Sequence, residues 1–142
     1  RTSGGTRLHQ LGVMIGTRRY LLDLTQTGEI VPLEALCPVP LSQPWFLGLS
    51  NIRGNLVGII DYARYMELGD TVQAQDSRVI TFAAGLGFNC GLLATRVLGL
   101  RHAADMAQDG ELLRDADNNE WTPLDLAGLV QDPRFLHVGA TP

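Results

Sequence analysis

One arginine stands in the most apolar stretch of this chain. Arg53 lies inside Pro44-Trp45-Phe46-Leu47-Gly48-Leu49-Ser50-Asn51-Ile52-Arg53-Gly54-Asn55-Leu56-Val57-Gly58-Ile59-Ile60-Asp61. A guanidinium in such surroundings must be paired or reach water, because an unpaired buried charge is heavily penalised. Glu29 is the nearest acid in the other apolar half of this module. Two readings follow: a Glu29–Arg53 ion pair, or an Arg53 at a solvated hairpin tip. The residues that could do covalent chemistry are less organised. Cys37 sits between Leu36 and Pro38, and Cys90 lies in an apolar run, so both read as buried, inert thiols. His9, His102 and His137 lie in unrelated contexts without the i, i+4 spacing of a metal-binding helix, and no metal site is expected. Asp23 and Asp61 each end an apolar run, where aspartate commonly caps a turn. Gly85-Leu86-Gly87 lacks the GxGxxG continuation of a nucleotide fingerprint, and no GxSxG elbow occurs. Enzymatic activity is therefore not expected, nor is a cofactor.

Composition narrows the classes further. The chain has 142 residues, 45% hydrophobic and 18% charged, which suits one folded domain and excludes a disordered acidic tail. All 11 basic residues are Arg, so lysine Schiff-base and P-loop lysine chemistry are absent. The net charge of -4 argues against a nucleic-acid partner. Residues 1–71 carry six Arg and six acids; residues 72–142 carry five Arg and nine acids, most of the excess falling between Asp105 and Asp132 as solvated loop. Two cysteines make no disulfide framework and weakly suit a reducing cytosol. No apolar run reaches 18 residues, so no membrane insertion is expected. Arg1 to Thr6 reads as a loose leading tail or a cloning end, not a signal peptide.

The elements that must position Arg53 and Glu29 are mostly strands. Leu11–Gly16, a turn, and Tyr20–Leu24 read as a hairpin. Glu29–Leu33 is extended, with Pro32 forcing an edge or an end. Leu36–Pro44 holds three prolines and is not helical. Trp45–Ile52 and Asn55–Asp61 are two further strands around an Arg53-Gly54 turn. Tyr62–Leu68 reads as a short helix stopped by Gly69, and Thr71–Asp76 as a connector. Val79–Ala83, a Gly85–Gly87 turn and an apolar run over Phe88–Val97 resume the strand pattern. Thr122 before Pro123 predicts a helix start, continued by Leu124, Ala127 and Leu129-Val130 and stopped by Pro133, with Phe135–Val138 as a closing strand. The fold class is mainly β: two small five-stranded SH3-like barrels in tandem with a short C-terminal helix. The first barrel spans about 20–70 and the second about 77–120 with contributions from both termini, inside a domain of 10–138 with tails at 1–9 and 139–142.

Several residues together resemble the CheW-like domain, the adaptor of bacterial chemotaxis arrays. Tyr20 through Glu29-Ile30 matches one stretch of the family pattern. Pro44, Phe46, Gly48, Asn51, Arg53 and Gly54 match the next by spacing, and Asp61 ends the following apolar strand. Gly91-Leu92-Leu93-Ala94-Thr95-Arg96-Val97 stands in the second-half signature, with Thr95 where the family has Asp, and Gly58 stands where it usually has Pro. Arg53–Leu56, Asp61–Tyr65 and the late Trp121…Leu126 look most like the twitching-motility branch, whose adaptors serve the type IV pilus array.

This resemblance implies a cytoplasmic scaffold, associated with membrane receptor arrays, that bridges a histidine kinase's regulatory domain to the tip of a methyl-accepting chemoreceptor. By position, Thr27, Glu29, Gly48, Asn51 and Arg53 would line or support the receptor groove between the barrels, with Glu29 and Arg53 paired. Leu36, Val39, Leu56 and Val57 would meet the kinase. The alternative is a small-ligand or peptide-binding β-barrel using exposed aromatics such as Trp45 and Trp121.

Overall fold

The computed structural model describes residues 9–138; of the expected tails at 1–9 and 139–142, all but His9 lie outside the described residues. Eleven strands, three short α-helices and three single-turn 3-10 helices occur among the described residues. Strands β1 (Gln10–Ile15) and β2 (Arg18–Asp23) form the expected hairpin. Strand β3 (Thr27–Val31) ends against Pro32, as its composition dictates. Strands β4 (Phe46–Ile52) and β5 (Asn55–Ile60) pair antiparallel around the Arg53-Gly54 turn. Helix α1 (Tyr62–Tyr65) is a single turn, followed by β6 (Arg78–Phe82), β7 (Cys90–Ala94) and β8 (Arg96–Arg101). Strands β9 (Ala107–Asp109), β10 (Leu112–Arg114) and β11 (Glu120–Leu124) precede α2 (Leu126–Leu129) and α3 (Pro133–Leu136).

The strands make two sheets, in the order β8-β1-β2-β11-β10-β9 and β3-β6-β7-β5-β4. The mainly β architecture of two barrel-like units is thus present, with six strands in one unit and five in the other. The five-stranded unit takes all of β3 to β7, and the six-stranded unit takes β1, β2 and β8 to β11. The change of sheet therefore falls at Thr95 rather than between 70 and 77, and the Phe88–Val97 run is split there into β7 and β8.

Period-two alternation explains why the central runs lack polar residues. On β6, Val79 enters one core cluster while Ile80 and Phe82 enter the other. On β7, Leu93 joins the first while Cys90, Leu92 and Ala94 join the second. On β5, Val57 and Ile59 face Val79 and Leu93, whereas Ile60 turns to the opposite side. Successive side chains point to opposite faces, so both faces of these strands are buried. One face fills the five-stranded unit with Ile52 and Val57, flanked by Val31 and Leu36. The other packs against Leu11, Val13, Ile15, Tyr20 and Leu22 of the six-stranded unit.

The C-terminal segment completes that shared core and departs from its expected form. Thr122 and Pro123 lie in β11, which runs parallel to β2; Asp125 takes the N-cap position of α2. Pro133 opens α3 instead of ending a helix, with the Asp132 side chain accepting from the Arg134 amide, and Phe135-Leu136 is helical rather than a closing strand. Phe135 is fully buried and meets the rings of Trp45, Tyr65, Phe82 and Phe88 at 5.5–6.1 Å. Gln43 N donates to Val138 O at 2.7 Å, tying the chain end to the Pro-rich segment. Trp45 and Trp121, expected as exposed aromatics, are both buried, Trp121 over Gly12 with its indole N–H donating to Asp115.

Among the described residues no helix is long and apolar enough to cross a membrane.

Phe135→Ala should cost about 3–5 kcal/mol, the range for removing a fully buried Phe, and denaturant unfolding measures it. A second outcome concerns alkaline pH. Burial pushes the Tyr62 hydroxyl up to about 12 and raises Tyr20 and Tyr65 in the same direction. A raised folded-state pKa stabilises below the unfolded value of 10.0 and is lost as pH climbs to about 12. With no lysine in the chain to titrate in that window, stability should fall between about pH 10 and 12, with tyrosinate absorbance appearing together with unfolding.

Candidate functional site

The β4–β5 hairpin presents Arg53 through a two-residue loop in which both central residues have positive φ, 53° at Arg53 and 84° at Gly54. This is the turn geometry that matches strand twist, and it normally takes Asn-Gly. The Asn51 Oδ1 accepts from the Gly54 amide at 2.9 Å and closes the loop. An arginine in the left-handed region costs on the order of 1 kcal/mol, so the hairpin holds some strain at the one residue whose charge projects outward.

Glu29 reaches Arg53 from the opposite edge of the same sheet. Pairing advances from Thr27 to Ile30 on β3 while it advances only from Phe82 to Ile80 on β6, so β3 carries one extra residue at Gly28-Glu29. The Glu29 amide donates to Thr81 Oγ1 at 2.6 Å, and a Cβ at Gly28 would stand 2.5 Å from that oxygen. A bulge of this kind re-aims a side chain. Here Glu29 Oε2 lies 2.7 Å from Arg53 Nε. Both earlier readings of Arg53 therefore hold at once: it is paired, and its side chain is 72% exposed at a hairpin tip. Such an exposed pair contributes at most about 1 kcal/mol. Its main effect is to fix the guanidinium, leaving its terminal N–H groups for a partner. A shallow cavity of about 210 Å³ adjoins it, lined by Val31, Pro32, Glu34 and Ser50 to Arg53.

Of the other expected receptor residues, Asn51 lines this cavity. Thr27 is half-buried at the start of β3, its hydroxyl donating to Leu24 O. Gly48 sits away from the cavity, with φ 142° and no room for a Cβ against the Cys37 carbonyl. Glu29, Asn51 and Arg53 come together on the five-stranded unit itself. Of the expected kinase residues, Leu56 and Val39 are exposed and Leu36 packs half-buried on the core. Val57 is 4% exposed and belongs to the core, because β5 is buried on both faces from there onward.

The covalent candidates stay apart. Burial raises the Cys90 thiol well above its ordinary range, so it stays protonated. Cys37, expected buried, is exposed, because its Pro-rich segment runs over the outer edge of β4 through a single bridge to Leu49. His9 and His102, unrelated in sequence, meet edge-on at 4.3 Å; no cluster of three metal-ligating side chains occurs among the described residues. Asp23 and Asp61 cap turns as expected, Asp61 from a buried position where it also accepts from the Thr71 amide and hydroxyl.

Comparison with known proteins identifies the family and the fold. Residues 9–122 match the model of the CheW-like domain. The chain belongs to the CheW-like domain family. It is similar to Protein PilI of Pseudomonas aeruginosa (strain PAO1), 24% identical over 92 residues, which are 65% of this chain and 51% of that protein. The chain thus spans about half the length of this curated relative. Its fold is shared with the scaffolding protein TtCheW of Thermoanaerobacter tengcongensis, at a TM-score of 0.70 and 18% identity over 85% of this chain and 92% of that one.

The turn strain and the weak pair set opposite expectations for stability and binding. Arg53→Asn removes the pair but relieves the left-handed arginine, so thermal unfolding should show stability unchanged or raised by up to about 1 kcal/mol. A clear loss would mean that the Glu29 contact holds the hairpin.

Proposed function

We propose that this chain is a non-enzymatic, cytoplasmic adaptor that couples a methyl-accepting chemoreceptor to the regulatory domain of a histidine kinase, in an array that controls type IV pilus twitching motility. Family membership supports the scaffold role, and the similarity to Protein PilI supports the pilus assignment. The observation that carries the receptor contact is the Glu29–Arg53 pair at 2.7 Å, held by a bulge on one strand and a strained turn on the other. Fold stability gains little from that arrangement, whereas a binding surface gains a fixed cation.

The receptor tip meets Glu29, Asn51 and Arg53, with Thr27 and Gly48 holding the strands that carry them. The kinase meets the exposed apolar side chains Val39 and Leu56, with Leu36 at their base and Val57 supporting from inside the core. Coupling then operates through differential contact: a receptor state that binds the Arg53 surface more tightly favours the adaptor–kinase arrangement compatible with it. The barrel-ligand reading loses its support, since the aromatics that suggested it are buried.

Arg53→Glu should weaken capture of a receptor-tip fragment by about tenfold or more, equivalent to about 1.4 kcal/mol, with the unfolding midpoint little changed. Undiminished capture would remove Arg53 from the receptor contact.

A further inference from the structure

The six-stranded unit carries a second charged surface, at which three arginines form no ion pair. Arg53, Arg64, Arg114 and Arg134 each lie within 4.0 Å of an acid. Arg78 donates to backbone carbonyls, and Arg101 donates to one and lies over the Trp121 ring. Arg18, Arg19 and Arg96 remain. They are the described arginines with neither a carboxylate nor a carbonyl partner, and Arg96 touches only the Met14 sulfur, at 4.0 Å.

Strand register sets two of the three, Arg19 and Arg96, on one sheet face and leaves Arg18 beside the turn. Met14 pairs with Arg19 on one side and with Arg96 on the other, and Ile15 pairs with Arg18. Register partners share a sheet face, so Arg19 and Arg96 flank Met14 at about two strand spacings, roughly 10 Å, whereas Arg18, paired with Ile15, takes the alternate face at the exposed start of β2. The β1–β2 turn is also clasped to the start of β8, because the Gly16 amide donates to Thr95 Oγ1 at 3.0 Å and the Thr95 amide to Met14 O at 2.7 Å. Beside the arginines lies a polar cavity of about 390 Å³, lined by Thr17, Arg18, Arg19, Leu112, Glu120 and Thr122. Glu120 is already held by Arg114 at 2.7 Å.

We infer that this cationic corner of the six-stranded unit docks an acidic segment of a protein partner, its carboxylates meeting Arg19 and Arg96 on either side of Met14 and Arg18 at the rim of the cavity. Arginines without an ion-pair partner on neighbouring strands leave a local excess of positive charge, which a carboxylate-bearing segment offsets. Guanidinium forks fit planar carboxylates in bidentate fashion, and the Thr17 and Thr122 hydroxyls supply further donors. Nucleic acid fits poorly: three cations neutralise few phosphates, and a chain of net charge -4 repels a long polyanion. This surface is separate from the Arg53 cavity, so the two contacts can be tested apart.

The test uses the whole chain and a fluorescent peptide of alternating Glu and Ser, with a Gln-for-Glu peptide as control, followed by anisotropy at low salt. The acidic peptide should bind and the Gln peptide should not, with binding lost as salt rises. Arg18→Glu combined with Arg96→Glu should weaken binding at least about tenfold, while Arg18→Lys combined with Arg96→Lys retains most of it. Both pairs lie at exposed positions and should leave the unfolding midpoint and receptor-fragment capture unchanged. For Arg19, which is half-buried, Arg19→Gln serves as the milder third variant. Equal binding by the charge-reversed variant overturns the proposal, as does absence of binding. Inorganic phosphate binding as tightly as the peptide would also overturn it, in favour of a small-anion site. So would self-association that the charge reversal abolishes, because the occupant would then be the acidic 105–132 stretch of a second copy.

Discussion

The whole architecture depends on β5, β7 and β6 being dry on both faces. Ile59 and Ile60, Leu92 and Leu93, and Val79 and Ile80 are adjacent pairs in which each member is almost completely inaccessible. Because neighbouring side chains on a strand point in opposite directions, such pairs can exist only if something covers both sides. On one side the cover is the five-stranded unit's own interior; on the other it is the β1–β2 hairpin and the C-terminal turns. The two units are therefore not beads on a string. Each supplies the wall that keeps the other's apolar surface from water, and neither could bury these strands alone.

That rigidity is what permits a weak surface pair to matter. Glu29 comes from β3, one outer strand of the five-stranded sheet, and Arg53 from the turn that joins β4, the other outer strand, to β5. Their separation is set by the strands between them, whose positions the double-sided core fixes. Asp61 performs a related task below the hairpin. It is 1% exposed, caps α1 through the Arg64 amide, and holds the connector through Thr71. A buried carboxylate so fully bonded contributes geometry rather than reactivity. Placing charge and conformational strain at the rim, and satisfied polar groups beneath it, keeps recognition from competing with folding.

Local signals in the sequence were reliable wherever a local cause decides the structure. The first hairpin, the edge position of β3, the non-helical Pro-rich segment, the Arg53-Gly54 turn, the capping aspartates and the proximity of Glu29 to Arg53 all follow from turn chemistry, period-two patterning or charge pairing. The failures share a different cause. Thr122-Pro123 carries a helix-start signature, yet parallel pairing with β2 and burial of Trp121 and Leu124 hold it extended. Trp45 is hidden by Phe135, 90 positions further along the chain. Val57 looks like its exposed neighbour Leu56 until the partner strands are known. The change of sheet at Thr95 is marked only by Thr95-Arg96, because the apolar pattern of Cys90–Ala94 resumes at Val97. In each case a contact distant in sequence overrides a local preference.

The two departures from the family pattern make the same point from the other direction. Gly58 stands where the family usually has proline. Its amide donates to Asn89 O at 3.1 Å, and a side chain there would stand 2.7 Å from the Phe46 ring. Proline would lose the hydrogen bond and meet the ring, so glycine fits this position between Phe46 and Asn89. Thr95 stands where the family has aspartate, and its hydroxyl is already committed to the Gly16 amide. A side chain engaged inward cannot present charge outward. Whatever this corner contributes to recognition must then come from the groups flanking the clasp, and those nearest in sequence are Arg96 on one side and Arg18 and Arg19 on the other.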